Sequence, residues 1–76
     1  MSRYIKELDN NRYIAYGFDQ AMPQYFLDVF DTTDPDNPVL TKEVTGRTGI
    51  YEFLDQNKDV KLDDHHMDQL FLDLPF

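Results

Sequence analysis

The chain changes its hydrophobic period at Gly46, and that change constrains the fold more than any other feature. Before Gly46, side chains of one character recur at every second position, the pattern of half-buried strands. After it, apolar residues recur at three- and four-residue intervals, the pattern of helices packed by one stripe. Residues 3–8 predict a short first strand. Asp9, Asn10 and Asn11 follow with turn chemistry, because Asn and Asp tolerate left-handed backbone angles. Residues 12–18 alternate, with Ile14, Tyr16 and Phe18 on one face and Tyr13, Ala15 and Gly17 on the other. Residues 24–31 are the strongest strand candidate, and with 12–18 they predict an antiparallel hairpin joined through 19–23. Residues 31–38 predict a loop, since Asp34 and Asn37 each precede a proline and are driven away from helical angles. Residues 39–45 read as a further strand, ended by Gly46.

Beyond Gly46, Ile50, Phe53 and Leu54 predict a helix over about 49–57, with Thr48 as its cap. The stretch from Lys58 to Leu62 interrupts the pattern. Asp63 is placed to cap a second helix, and Asp64 suits its positive N-terminal end. Met67, Leu70, Phe71 and Leu74 form the expected buried stripe, and Pro75 ends the helix. The expected architecture is a small two-layer α+β domain. A three- or four-stranded antiparallel meander is followed by two short helices packed on one sheet face.

A chain of 76 residues allows one domain, spanning 1–76. A domain of that size buries only about 60% of its unfolded surface, so the core is thin. With 41% hydrophobic and 14% aromatic residues the chain is too apolar for a disordered acidic tail. Cysteine is absent, which excludes disulfides, thiolate catalysis and cysteine-based zinc sites. A small secreted domain usually carries disulfides, so the expected location is cytoplasmic. No apolar run approaches the ~20 residues that span a bilayer. The N-terminal segment lacks the apolar core of a signal peptide. The first Met and the apolar end Leu74-Pro75-Phe76 give the expectation of an intact natural chain.

The chemistry available for catalysis is sparse. Ser2 is the only serine, so serine-dependent acyl transfer is not expected. Gly17, Gly46 and Gly49 make no phosphate cradle. A catalytic carboxylate pair needs a cleft to raise one pKa, and so thin a core has little interior to provide it. No enzymatic activity and no cofactor are expected.

Residues 55–66 resemble the calcium loop of an EF-hand. Asp55, Asn57 and Asp59 match the first three ligand positions, and Leu62 the apolar position. Val60 replaces the glycine of the sharp turn, and His66 replaces the bidentate glutamate. The resemblance supports a weak cation-binding regulatory domain only as an alternative; no metal site is expected. His65 and His66 diverge by about 100° on a helix and are expected in an exposed first turn. Asp31, Asp34 and Asp36 fit turn formation better than cation binding.

The most informative segment is the strand from Gln24 to Asp31. Asp28 would be costly under the helices without a partner, so Tyr25, Leu27 and Val29 are the expected core face. Phe26 and Phe30 then lie with Asp28 on the opposite face, beside Tyr13 or Tyr16 according to register. Two helices cannot cover both faces, and an exposed aromatic patch marks an interaction site. The candidate partner-binding residues are therefore Tyr13, Tyr16, Phe26, Asp28 and Phe30. A net charge of −8 repels nucleic acids and anionic membranes and favours basic partners. The expected function is a non-enzymatic, acidic protein-interaction module that binds a basic protein or a second copy of itself. A phage- or plasmid-type inhibitor, or a decoy occupying a nucleic-acid groove, is one form such a module takes.

Overall fold

Gly46 divides the fold in space as it divides the sequence. In the computed structural model, which describes residues 3–9 and 11–76, four strands precede Gly46 and two helices follow it. Ser2, and Asn10 of the expected first turn, lie outside the described residues. The strands are β1 (Tyr4–Asp9), β2 (Arg12–Asp19), β3 (Gln24–Asp31) and β4 (Val39–Thr45). The helices are α1 (Arg47–Gln56) and α2 (Asp64–Phe71). The sheet runs β1-β2-β3-β4, every neighbour antiparallel. The first segment thus pairs, giving the four-stranded form of the expected α+β domain.

Local chemistry sets each turn. The Asp9 carboxylate accepts from the Asn11 backbone N–H at 2.8 Å, and the Asp19 carboxylate from that of Ala21 at 3.0 Å. Asp31 accepts from the backbone N–H and hydroxyl of Thr33, and Asp34 from the N–H of Asp36. These are the side-chain turns that Asp favours. At the β4–α1 junction Gly46 has φ 83° and ψ 156°, a region essentially reserved for glycine. Its N–H donates to the Tyr25 carbonyl at 2.8 Å, holding the junction against β3. Gly46, rather than the expected Thr48, is therefore the residue before α1, and the helix starts at Arg47. Gly49 lets α1 lie close to β4, since an added Cβ would stand 3.0 Å from a Val44 methyl.

One face of the sheet carries the core. Ile14, Tyr16, Tyr25, Leu27, Val29 and Val44 pack with Ile50 and Phe53 of α1, Leu62 of the connection and Leu70 of α2. Ile14, Leu27, Ile50 and Leu70 are the large, fully buried side chains, each worth about 1.5–3 kcal/mol in burial. Lys42 of β4 lies over the Phe53 ring at 5.5 Å, with its cation on an aromatic face.

Helix α2 departs from the expected stripe. Leu70 is buried and Met67 partly so, but Phe71 is 73% exposed and Leu74 47%. Asp63 caps the helix as expected, accepting from the His65 N–H at 2.9 Å. The helix ends at Phe71, and Asp73 turns the chain at φ 63°, so Leu74 falls off the helical register. The inward face of α2 is instead His66 and Leu70, one helical turn apart. The expected exposure of His66 is thereby corrected. Its Nδ1 is hydrogen-bonded to the Tyr16 hydroxyl at 2.9 Å. Its ring lies 4.0 Å from that of Tyr4 and stacks on Phe76 at 4.8 Å, centroid to centroid. Phe76 also meets Tyr25, whose hydroxyl donates to the Leu74 carbonyl. An Arg47–Asp73 ion pair at 3.8 Å adds a polar tie to the same segment.

Candidate functional site

Strand pairing sorts the face away from the helices into cross-strand rows, because opposed residues share a side of the sheet. The central row is Ile5, Ala15, Asp28 and Glu43. The second is Glu7, Tyr13, Phe30 and Leu40. The third contains Gly17, Phe26 and Thr45. Four of the five expected partner-binding residues, Tyr13, Phe26, Asp28 and Phe30, therefore come together. Tyr13 and Phe30 stack with centroids 5.0 Å apart and planes 17° from parallel. Ile5 and Leu40, on the two outer strands, leave 63% and 43% of their surfaces exposed.

Tyr16 is the exception. It lies on the helix-covered face, only 5% exposed. The alternation of β2 requires this once Tyr13 faces outward, and the bond to His66 holds it there. Tyr16 is a core residue, and its place on the open face is corrected. Burial raises the pKa of its hydroxyl, consistent with a phenol held in its neutral form. For His66 the same cause acts in the opposite direction. Burial lowers the imidazole pKa, with nearby Asp63 opposing the shift and His65 adding to it.

Asp28 is the chemically distinctive group of the open face. Its strand neighbours on that face are Phe26 and Phe30, and its cross-strand neighbours are Ala15 and Glu43. Burial between these residues raises its carboxyl pKa, Glu43 raises it further, and Arg3 opposes both. Among the described residues, neither the Asp28 nor the Glu43 side chain has a hydrogen bond or an ion pair. The contrast with Asp9, Asp19, Asp31, Asp34 and Asp63 is clear, since each of those accepts from a nearby backbone N–H. Those carboxylates build turns and a helix cap. Asp28 and Glu43 stand side by side without such a task, in an arrangement that costs stability.

No protein-family model matches the chain, and no curated protein or solved structure matches it either. The functional reading therefore rests on side-chain chemistry.

The segment resembling a calcium loop is put to structural use. Asp55 lies inside α1. The Asn57 side-chain amide donates to the Phe53 carbonyl at 2.9 Å, and the Asn57 backbone N–H donates to the same oxygen at 3.0 Å. Leu62 is 3% exposed and belongs to the core. His66 faces Tyr16 rather than the loop. Among the described residues no three His, Asp or Glu side chains gather as a metal-binding group, and no helix is long and apolar enough to cross a membrane.

Sequence reasoning missed Ile5, Leu40 and Glu43 as members of the open face. The signal was register, which the sequence of separate strands does not carry. Leu40 in particular reaches the Phe30 row because the β3–β4 pairing shifts between Val29 and Phe30.

Proposed function

We propose that this chain is a non-enzymatic protein-interaction domain that binds a basic protein surface through the open face of its sheet. The observation that carries the reading is the Asp28–Glu43 pair, without an ion pair among the described residues, set beside aromatic side chains. Aromatic groups supply the desolvated anchors of an interface, and charge supplies steering and register. Two like charges side by side on a face that also carries Tyr13, Phe26 and Phe30 disfavour folding and are relieved by a cation from outside. A net charge of −8 supports a basic partner over a nucleic acid or an anionic membrane. It also disfavours a second copy across this face, since two molecules of the same net charge repel. The absence of cysteine supports a reducing, cytoplasmic setting.

The experiment is affinity capture with wild type and Phe30→Asp in parallel, combined with sedimentation of the wild type across concentration. The expected result is a monomer that retains a partner with a basic surface. Binding should weaken with added salt and be lost in a folded Phe30→Asp protein. A partner retained equally by both proteins, or a concentration-dependent dimer broken by Phe30→Asp, overturns the reading.

A further inference from the structure

We propose that the Asp28–Glu43 step of the open face is a receptor for one arginine side chain of a basic partner protein, with Phe26 and Phe30 bounding the guanidinium. This rests on the interaction reading above and names the group that the face recognises.

Charge complementarity identifies the occupant. Asp28 and Glu43 are directly opposed across β3 and β4. Side chains so opposed have Cβ atoms about 4.5–5.5 Å apart, close enough for both carboxylates to accept from one cationic head group. Among the described residues none fills that role. Arg3 acts on Asp28 through its field, but the two form no ion pair. On its other side Asp28 faces Ala15, a small residue with no exposed surface. Ala15 is thus already covered by its neighbours, and the side of Asp28 that bears a second carboxylate is the Glu43 side.

The surroundings select guanidinium over ammonium. Phe26 and Phe30 flank Asp28 two residues to either side, on the same face of β3. Tyr13 stacks on Phe30 and extends that side of the site into a double ring. A guanidinium is planar, stacks on aromatic faces and carries several donors in a fixed fork. It can reach both carboxylates while covering a phenyl ring. A lysine ammonium is a compact and strongly hydrated charge, and gains less from such rings.

The test is a titration with an arginine-rich peptide and a lysine-rich peptide of equal length and charge, followed by amide and aromatic NMR signals. The arginine peptide should bind about tenfold more tightly, with saturable shifts centred on Ala15, Phe26, Asp28, Phe30 and Glu43. Asp28→Asn and Glu43→Gln should each weaken it by about tenfold, whereas Asp34→Asn, in the acidic loop, should not. Equal affinity for the two peptides, with shifts confined to the open face, overturns the arginine receptor and leaves the docking face standing. Shifts spread evenly over the face and the 31–38 loop, or no saturable shift with either peptide, overturn both.

Discussion

The two faces of this sheet are built from the same strands and alternate residue by residue, yet they solve opposite problems. On the covered face Tyr25, Leu27 and Val29 meet helices, and the polar atoms of Tyr16 and Tyr25 find partners. On the other face Phe26, Asp28 and Phe30 meet no helix, and the Asp28 carboxylate has no hydrogen-bond partner among the described residues. Asp28 and Glu43 instead stand side by side as like charges, an arrangement that costs the fold stability.

The sharpest way to break the comparison is to place one charge on each face. Leu27→Asp should unfold the domain. A buried charge without a partner costs about 3–5 kcal/mol, close to the whole stability of a small domain. Phe30→Asp should keep the cooperative transition seen by circular dichroism. Unfolding of the Phe30 variant would reassign that ring to the core.

Next in size is the helix side of the core. Leu70→Ala should cost about 2–5 kcal/mol in denaturant unfolding, the range for a fully buried leucine. Phe71→Ala, one residue on, should change stability by less than about 0.5 kcal/mol. Equal losses at the two positions would restore the stripe expected from spacing alone.

Acid should then act on the covered face through His66. Its folded pKa lies below the unfolded value of 6.5. The unfolded chain therefore binds the proton more readily, and stability falls as pH drops from about 6.5 through the lower folded pKa. Above that window the His66 contribution is fully present. Denaturant midpoints measured from neutral pH downward should show the loss in wild type and less of it in His66→Phe. An equal loss in the two would place the acid response elsewhere.

The smallest effect has the opposite sign. The folded pKa of Asp28 is raised, so its contribution to stability is best below the unfolded value of 3.8 and declines as pH rises through the folded one. At neutral pH Asp28 is a burden on the fold. Asp28→Asn should therefore stabilise, by about 0.2–1 kcal/mol, the range for a like-charged cross-strand pair. A loss of stability in thermal unfolding would mean that Asp28 has a structural partner.

Much of the fold was legible because strands and turns are written locally. The alternation in β2 and β3, the proline-bearing loop after β3 and the capping Asp63 each depend on a few adjacent residues. The assignment of faces was legible through one expensive group, Asp28, which had to avoid the helices. The misreadings have a common physical origin. Spacing alone carries the stripe of α2 through Leu74, whereas Asp73 turns the chain before it. Its place in a helix's first turn marks His66 as polar and exposed, whereas an imidazole with a Tyr16 partner is a core group. The first is a local turn of the backbone and the second a contact between residues far apart in sequence, and periodicity is blind to both. The same holds for Ile5, Leu40 and Glu43, whose place at the site depends on register.

The cluster of His66 with Tyr4 and Phe76 also carries a kinetic consequence. The meander joins neighbouring strands through short turns, so its pairings need only small loops to close. The His66 cluster draws together residues from nearly opposite ends of the chain, and such closure has the larger entropic barrier. The hairpins should therefore form early and the docking of α2 late. In reverse, that docking is the contact set whose loss leaves the hairpins paired, a partial opening visible as faster amide exchange in α2 than in β2 and β3.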